Sequence, residues 1–202
     1  ACQTDDEHFS KFLKYVLHQG KNYENLHEFK LRFEIFKSNL EFIEFRTVET
    51  LSPFMDLTKE EFSARYLSNF DEAAFEEQRK NFKTYEPTET NADELVDWRD
   101  KGVVAPIKNQ GQCGSCWAFS AVSTLETQNA LTNGLTAGKV LTFSEQQLVD
   151  CDTTSHGCEG GLMDNAFNYV KSNDGIETDK VYPYTAADGK CKAVSALSSA
   201  KV

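Results

Sequence analysis

QGQCGSCWA, the sequence of residues 110–118, carries the strongest indication of the fold. The apolar residues of this segment and just after it have helical spacing: Trp117, Ala118, Phe119, Val122 and Leu125. Cys116 is therefore predicted at a helix N-terminus, where the helix dipole and the backbone N–H groups favour a thiolate, the form of cysteine that attacks a carbonyl carbon. Gln110 lies shortly upstream and could donate its side-chain amide to the oxyanion that such an attack creates.

Cys113 and Cys116 also form a CxxC pair, which is compatible with a redox site or with half of a zinc site. A structural zinc site needs a second close pair, but Cys151 and Cys158 are too far apart in sequence to match it. A thioredoxin-like pair should follow a strand in a βαβ pattern, and the sequence has no such pattern. Both alternatives are weaker than a nucleophilic cysteine, and the sequence indicates no cofactor and no metal site.

The 110–118 segment resembles the nucleophile motif of papain and the L-type cathepsins, a family of cysteine proteases. This resemblance implies that Cys116 is the nucleophile and that Gln110 is the oxyanion donor. A second segment, CEGGLMD at 158–164, resembles one wall of the substrate cleft in the same family, although Glu159 replaces the usual Asn. Taken without the resemblance, this second segment is only a turn beside a cysteine.

The glycines of that wall suggest how a substrate is held. Without side chains, Gly160 and Gly161 let an extended peptide pair with the main chain of the protein. Leu162 and Met163 would line the adjoining apolar pocket, so we expect a preference for a hydrophobic or aromatic residue on the N-terminal side of the cleaved bond.

The cysteines are concentrated in the second half of the chain, and only Cys2 lies outside it. Six cysteines allow fifteen disulfide connectivities, so spacing alone does not define the pairs. The resemblance implies Cys113 with Cys158 and Cys151 with Cys191, which leaves Cys116 as a thiol. It also implies that residues 144–150 form the capped helix that carries Cys151.

The first part of the chain is charged and poor in glycine, which indicates helices. One helix is predicted from about Glu24 to Arg46, an earlier one ends near Gly20, and Thr58 with Glu61 forms a capping box that begins a third. The order of residues resembles the inhibitory prosegment of the same family, at Glu28, Arg32, Phe36, Asn39, Ile43, Phe54 and Asp56. Thr47, Thr50 and Ser52 depart from its pattern. By spacing alone, Glu28 and Arg32 are only a helical ion pair.

Glycine, cysteine and tryptophan become frequent after residue 92, and this change predicts two domains. Residues 1–91 would be the prosegment, with a linker and candidate cleavage region at about 82–91, and residues 92–202 the N-terminal part of the peptidase domain. The expected fold class is α+β: a helical prosegment, then the mainly helical first domain of the papain-like fold, with the β-rich second domain largely outside these residues.

The net charge of −11 and the pI of about 4.8 argue against nucleic acid and anionic membranes as partners. The sequence begins without the basic and apolar segments of a signal peptide and contains no apolar run that could span a bilayer. The cysteine content nevertheless favours an oxidising compartment, so the expected location is lysosomal, endosomal or extracellular.

Papain-like proteases need a histidine as base and an Asn to orient it, about 130 to 150 residues after the cysteine. The candidates here, His8, His18, His27 and His156, are in the presumed prosegment or in a disulfide loop. We therefore expect the catalytic His and Asn to lie in a C-terminal half beyond this sequence. Two hypotheses follow: an endopeptidase zymogen acting on peptides or proteins, inhibited by its own prosegment and inactive as these 202 residues alone, or a short non-catalytic inhibitor or binding module.

Overall fold

The chain forms two compact units, Ala1–Ala64 and Arg65–Val202. The structure, a computed structural model, describes residues 2–43, 51–67, 72–80, 83, 86, 96–136 and 138–194. Within these ranges there are seven α-helices and no β-strand, which agrees with a helical prosegment followed by a helical first domain. None of the helices in the described ranges is long and apolar enough to cross a membrane.

The first unit is built on two helices, α1 (Cys2–His18) and α2 (Leu26–Glu41), which pack against each other. Gly20 ends the α1 segment with a positive φ of 61°, a conformation that glycine adopts without strain. Asn25 caps α2 by accepting a hydrogen bond from the backbone N–H of Glu28. The buried core between the helices and the following loop is largely aromatic and aliphatic: Phe12, Tyr15, Phe36, Leu40, Leu51 and Met55.

The predicted length of α2 was wrong, because the helix ends at Glu41 rather than near Arg46. The N–H groups of Phe42 and Ile43 bond to carbonyls three residues back, which tightens the last turn and ends the α-helical ladder. Phe42 is 85% exposed, whereas Ile43 still packs against the core from outside the helix. Residues 44–50, including Thr47 and Thr50, lie outside the described part of the chain.

The third helix, α3 (Lys59–Tyr66), begins at the predicted capping box. The side-chain oxygen of Thr58 accepts the N–H of Glu61 at 3.1 Å, and the Glu61 carboxylate accepts the N–H of Thr58 at 2.9 Å. A fourth helix, α4 (Glu72–Arg79), is short and acidic. The linker predicted at 82–91 lies mostly outside the described residues, and the domain boundary at 91/92 stays a prediction.

The second unit is organised around the long helix α5 (Cys116–Thr132), which packs against α6 (Glu145–Cys151) and α7 (Met163–Ser172). Ser144 caps α6, as expected, by accepting the N–H of Gln147. A short 3₁₀ turn, Gly157–Glu159, precedes α7. The buried core consists of one face of α5 and the apolar residues that cover it: Trp117, Ala118, Ala121, Val122, Leu125, Phe143, Leu148, Val149, Ala166, Val170 and Ile176.

Two disulfides tie this unit together, Cys113–Cys158 and Cys151–Cys191, and these are the same pairs that the resemblance implies. The first joins the segment before α5 to the 3₁₀ turn, and the second joins the end of α6 to the segment after Tyr184. Closing chain segments of 45 and 40 residues removes conformational freedom mainly from the unfolded chain, so both bonds favour the folded state.

A buried charge cluster lies beneath the start of α6. The Lys108 ammonium bonds to the carboxylates of Glu126 and Glu145 at 2.5 and 2.6 Å, and both glutamates are almost fully buried. Burial opposes the charge on Lys108, but its two hydrogen bonds outweigh this and raise its pKa. Burial raises the pKa of the Glu145 carboxyl, and the bond from Lys108 only partly offsets that effect.

Candidate active site

Cys116 is the first residue of α5, its side chain is exposed, and it belongs to neither disulfide. Gly114 lies in the turn just before Cys116, and its N–H donates to the carbonyl of Cys158 at 2.8 Å. A Cβ at position 114 would lie 2.4 Å from that same carbonyl oxygen, so any larger residue would push the two segments apart. The Cys113–Cys158 disulfide fixes the neighbouring residue, and together these contacts hold the turn before Cys116 against the Cys158 segment.

Gln110 is held close to this turn through its own side chain. The amide nitrogen donates to the carbonyl of Cys113 at 2.8 Å and also to the carbonyl of Tyr66 at 3.1 Å. An amide NH₂ group has two hydrogens, so one is used to orient the side chain and the other is directed at a peptide carbonyl from the end of α3. The arrangement can therefore bind a carbonyl oxygen, which is the chemistry that an oxyanion donor requires.

Tyr184 links Gln110 to the residue before Cys116. Its hydroxyl donates to the carbonyl of Gln110 at 2.7 Å and lies 2.6 Å from the hydroxyl of Ser115. Ser115 is the N-cap residue of α5, yet its side chain makes no capping bond and is fully buried. Tyr184 was not among the predicted site residues, because its two partners are 74 and 69 residues away and no local pattern indicates such a contact.

The predicted cleft wall follows the 3₁₀ turn. Gly160 has a φ of 129°, and its N–H donates to the carbonyl of Gly157. Leu162 is half-buried and precedes α7, whereas Met163 begins that helix and is 41% exposed. The structure thus places an apolar, partly accessible pair directly after the two glycines.

Gly161 has a second reason to be glycine. A Cβ at this position would lie 2.6 Å from the ring of Trp117 and 2.7 Å from the hydroxyl of Ser155. Trp117 is itself fixed, because its indole N–H donates to the carbonyl of Gly157 at 3.0 Å. Internal packing therefore excludes a side chain at Gly161, in addition to any need for space beside a substrate.

In the first unit, the predicted prosegment residue Asp56 is buried and accepts three hydrogen bonds. The donors are the hydroxyls of Tyr15 and Tyr23 and the ammonium of Lys21, each at 2.9 Å. Burial, followed by the negative charge of Asp56, raises the pKa of both tyrosines, which stay protonated. The three donors were not predicted, because they come from α1 and the loop after it.

Arg32 and Asn39, also predicted on the prosegment motif, extend from α2 to the loop that contains Asp56. Arg32 is buried and donates to the carbonyl of Asp56 at 3.0 Å and to the Glu61 carboxylate at 2.7 Å, while Glu28 lies farther away at 3.6 Å. Asn39 donates to two carbonyls of the same loop. Arg32 thus forms the helical ion pair with Glu28 that its spacing indicates, and it also makes tertiary contacts with Asp56 and Glu61.

The remaining motif residues also lie in the first unit. Phe36 is fully buried, Ile43 packs against the core, and the ring of Phe54 lies 5.2 Å from that of Phe62. Of the histidines, His18, His27 and His156 are exposed and His8 is half-buried. Among the described residues, no group of three or more His, Cys, Asp or Glu side chains is arranged to hold a metal ion.

Comparison with known proteins gives two family matches. The model of the papain family cysteine protease matches residues 92–202, and that of the cathepsin propeptide inhibitor domain matches residues 12–62. Caricain of Carica papaya is 43% identical over 188 residues, which are 90% of this chain and 52% of caricain. The oryzain beta chain of Oryza sativa subsp. japonica is 45% identical over 179 residues, which are 81% of this chain and 36% of that protein.

Solved precursors have the same fold. Procathepsin L2 from the larval midgut of Tenebrio molitor superposes with a TM-score of 0.78 at 34% identity, covering 96% of this chain and 65% of that one. The recombinant stem bromelain precursor gives 0.76 at 31% identity, covering 97% and 63%. The chain spans about half the length of several of the curated relatives it matches. It belongs to the papain family of cysteine proteases, and it carries the cathepsin-type propeptide domain before the peptidase domain.

Proposed function

We propose that this chain is part of the zymogen of a papain-like cysteine endopeptidase, with Cys116 as the nucleophile. The observation that carries the proposal is the placement of an exposed cysteine at the N-terminus of α5 beside a turn to which the Gln110 amide is bonded. Family membership and the curated relatives, several of which are named as cysteine or thiol proteases, support it.

The reaction is acyl transfer in two steps. The Cys116 thiolate attacks the carbonyl carbon of a peptide bond, a C–S bond forms, and the carbonyl oxygen becomes an oxyanion that accepts a hydrogen bond from Gln110. The C–N bond then breaks as the amine takes a proton, and water hydrolyses the thioester to return the thiol. A histidine must hold and return that proton. None of the four histidines here is assigned that role, so the 202 residues alone are predicted to be inactive.

The prosegment inhibits the enzyme within the same chain. The carbonyl of Tyr66 accepts a hydrogen bond from Gln110, and the carbonyl of Leu67 lies near Gly114. Main chain that follows the propeptide domain therefore occupies the donor that a substrate carbonyl would need. Cleavage of the chain in the 82–91 linker would release this segment and expose the site.

The preferred substrate has a hydrophobic or aromatic residue on the N-terminal side of the cleaved bond. Gly160 and Gly161 would pair with the substrate main chain, while Leu162 and Met163 would contact that side chain. Exchange of Met163 for glutamate should therefore weaken the preference. The two disulfides support passage through the secretory pathway, with an endolysosomal or extracellular site of action.

The experiment uses the full-length protein activated at acid pH. We expect hydrolysis of hydrophobic dipeptidyl reporters and alkylation of Cys116 by iodoacetamide, identified by peptide mass mapping. Cys116→Ala should abolish hydrolysis, and Ser120→Ala, an exposed position on the next turn of α5, should leave it unchanged. Hydrolysis that survived in Cys116→Ala would refute the proposal. A full-length protein that only inhibited related proteases would support the non-catalytic alternative.

A further inference from the structure

The hydroxyl of Tyr184 lies at the junction of a directed chain of hydrogen bonds. It donates to the carbonyl of Gln110 at 2.7 Å, and a tyrosine hydroxyl has a single hydrogen. The contact of 2.6 Å with Ser115 must therefore be donated by the serine. The direction is fixed as Ser115 to Tyr184 to Gln110, and bonds in such a chain polarise and strengthen one another.

Tyr184 is anchored on the same helix that begins with Cys116. Its ring meets the ring of Phe119 edge-on, with centroids 4.9 Å apart and planes at 88°. Phe119 lies within the first turn of α5, so this contact places the Tyr184 ring at the start of the helix. From there the hydroxyl reaches Ser115 and the main chain of Gln110.

Gln110 is thereby fixed at two points. Its side chain is oriented by the carbonyl of Cys113, and its main chain is held by Tyr184. Loss of the tyrosine hydroxyl would leave the bond between the Gln110 side chain and the Cys113 carbonyl in place. It would remove the bond that holds the main chain of Gln110. A small shift of a donor is costly when the donor must meet an oxyanion, because the bond strength depends steeply on geometry.

We infer that Tyr184 is a positioning residue, which sets the distance between the Gln110 amide and the Cys116 sulfur through Ser115 and the first turn of α5. The inference rests on the proposed function, since it takes Cys116 as the nucleophile and Gln110 as the oxyanion donor. Tyr184 itself touches neither the substrate nor the reacting atoms in this role.

Tyr182, two residues earlier, is a matched control. Its hydroxyl donates to the Asp150 carboxylate at 2.7 Å and accepts the N–H of Lys192 at 3.1 Å. Both tyrosines therefore lose one donated and one accepted hydrogen bond when they become phenylalanine. Only Tyr184 makes its bonds to the segment between Gln110 and Cys116.

The test compares Tyr184→Phe and Tyr182→Phe in the full-length, acid-activated protein, with the concentration of active sites measured by titration. For Tyr184→Phe we expect kcat to fall about tenfold while KM stays within about twofold. Alkylation of Cys116 by iodoacetamide creates no oxyanion, so its rate should change by less than about twofold. For Tyr182→Phe both rates should stay within about twofold of the wild-type values, whatever the change in thermal midpoint.

An unchanged kcat in Tyr184→Phe would overturn the positioning role. A parallel fall of kcat and alkylation rate would do the same, because it would indicate general damage to the turn. Equal losses in both tyrosine variants would indicate that only stability is affected. Hydrolysis by Cys116→Ala would refute the proposed function, and the role of Tyr184 with it, independently of the tyrosine variants.

Discussion

The side-chain amide of Gln110 donates to the carbonyl oxygen of Tyr66 over 3.1 Å. The donor that we assign to the transition state is thus engaged by a peptide carbonyl of the chain itself. Because that carbonyl belongs to main chain, the contact does not depend on which side chain position 66 carries. The same N–H would be available to a substrate only after this segment leaves.

The first prediction concerns Gln110. Gln110→Ala should lower kcat/KM by about 10² to 10³, as the loss of one oxyanion donor does in other acyl-transfer enzymes. Gln112 is exposed in the same segment, and Gln112→Ala should leave kcat/KM unchanged. Steady-state hydrolysis of a dipeptidyl reporter by the full-length activated enzyme measures both. Equal effects of the two substitutions would contradict the assignment of Gln110.

The second prediction is that loss of either disulfide lowers stability, but only loss of one of them changes the reactivity of Cys116. Replacing both cysteines of either pair with serine should destabilise the second unit by about 4 kcal/mol, because the closed segments are similar in length. Of the two bonds, only Cys113–Cys158 holds the turn before Cys116, so only its loss should slow alkylation of Cys116 under conditions where the protein remains folded. Denaturant unfolding and alkylation kinetics test this, and identical kinetics in the two variants would be evidence against it.

The third prediction concerns Gly161. Gly161→Ala should cost about 1 to 3 kcal/mol, because the added methyl group meets the ring of Trp117. Gly134 has open space around its Cα but a positive φ, so Gly134→Ala reports the cost of backbone strain alone, about 1 to 2 kcal/mol. A fall in the thermal midpoint for Gly161→Ala without any change in near-ultraviolet circular dichroism from Trp117 would argue against the predicted clash.

The fourth prediction concerns the prosegment. Asp56→Asn replaces a buried, acceptor-only carboxylate with an amide that faces three donors, so the first unit should lose about 2 to 4 kcal/mol of stability. Asp5→Asn removes an exposed ion pair with Lys37 and should lower stability much less than Asp56→Asn does. Limited proteolysis of the precursor should cut residues 1–64 faster in Asp56→Asn alone.

The fifth prediction is a pH dependence of stability. The raised pKa of Glu145 means that the folded state takes up a proton more readily than the unfolded state, whose carboxyl has the ordinary value of 4.5. As the pH falls from neutral through this raised pKa toward 4.5, the wild type should therefore gain stability relative to Glu145→Gln. Thermal midpoints of both proteins at pH 7 and at about pH 4.5 measure the difference.

Glu159→Gln, at an exposed carboxylate, is the control for that measurement. Its thermal midpoint should stay close to that of the wild type, because substitutions at exposed positions usually change stability little. If acidification instead raised the thermal midpoint of Glu145→Gln relative to that of the wild type, the sign of the Glu145 pKa shift would be wrong.

Local features of the fold could be predicted from the sequence, because their causes are local. The capping box at Thr58 and Glu61 depends on residues three apart, and the start of α5 at Cys116 depends on helical spacing. The pairing of the cysteines came from family resemblance and from nothing in the spacing itself. The end of α2 was misplaced, since the apolar pattern continues through Phe42 and Ile43 after the helical hydrogen bonds have ceased.

The contacts that fix the candidate site were beyond sequence reasoning. The Tyr184 hydroxyl bonds to the carbonyl of Gln110, which lies 74 residues away in sequence. The Tyr15 hydroxyl bonds to Asp56, which lies 41 residues away. Such pairs depend on how helices and loops pack, and no periodicity encodes them. The same holds for Lys108, whose two carboxylate partners come from different helices.

The two disulfides interleave along the chain, because Cys151 lies between Cys113 and Cys158 while Cys158 lies between Cys151 and Cys191. A single nick anywhere from residue 113 to residue 191 therefore leaves both pieces covalently joined. A cut in the predicted 82–91 linker would fall outside the interleaved region, and neither of these disulfides would join its two products. If the predicted linker is the cleavage site, one cut there would free the prosegment, whereas one accidental cut between the outer cysteines would leave the peptidase part in one covalent piece.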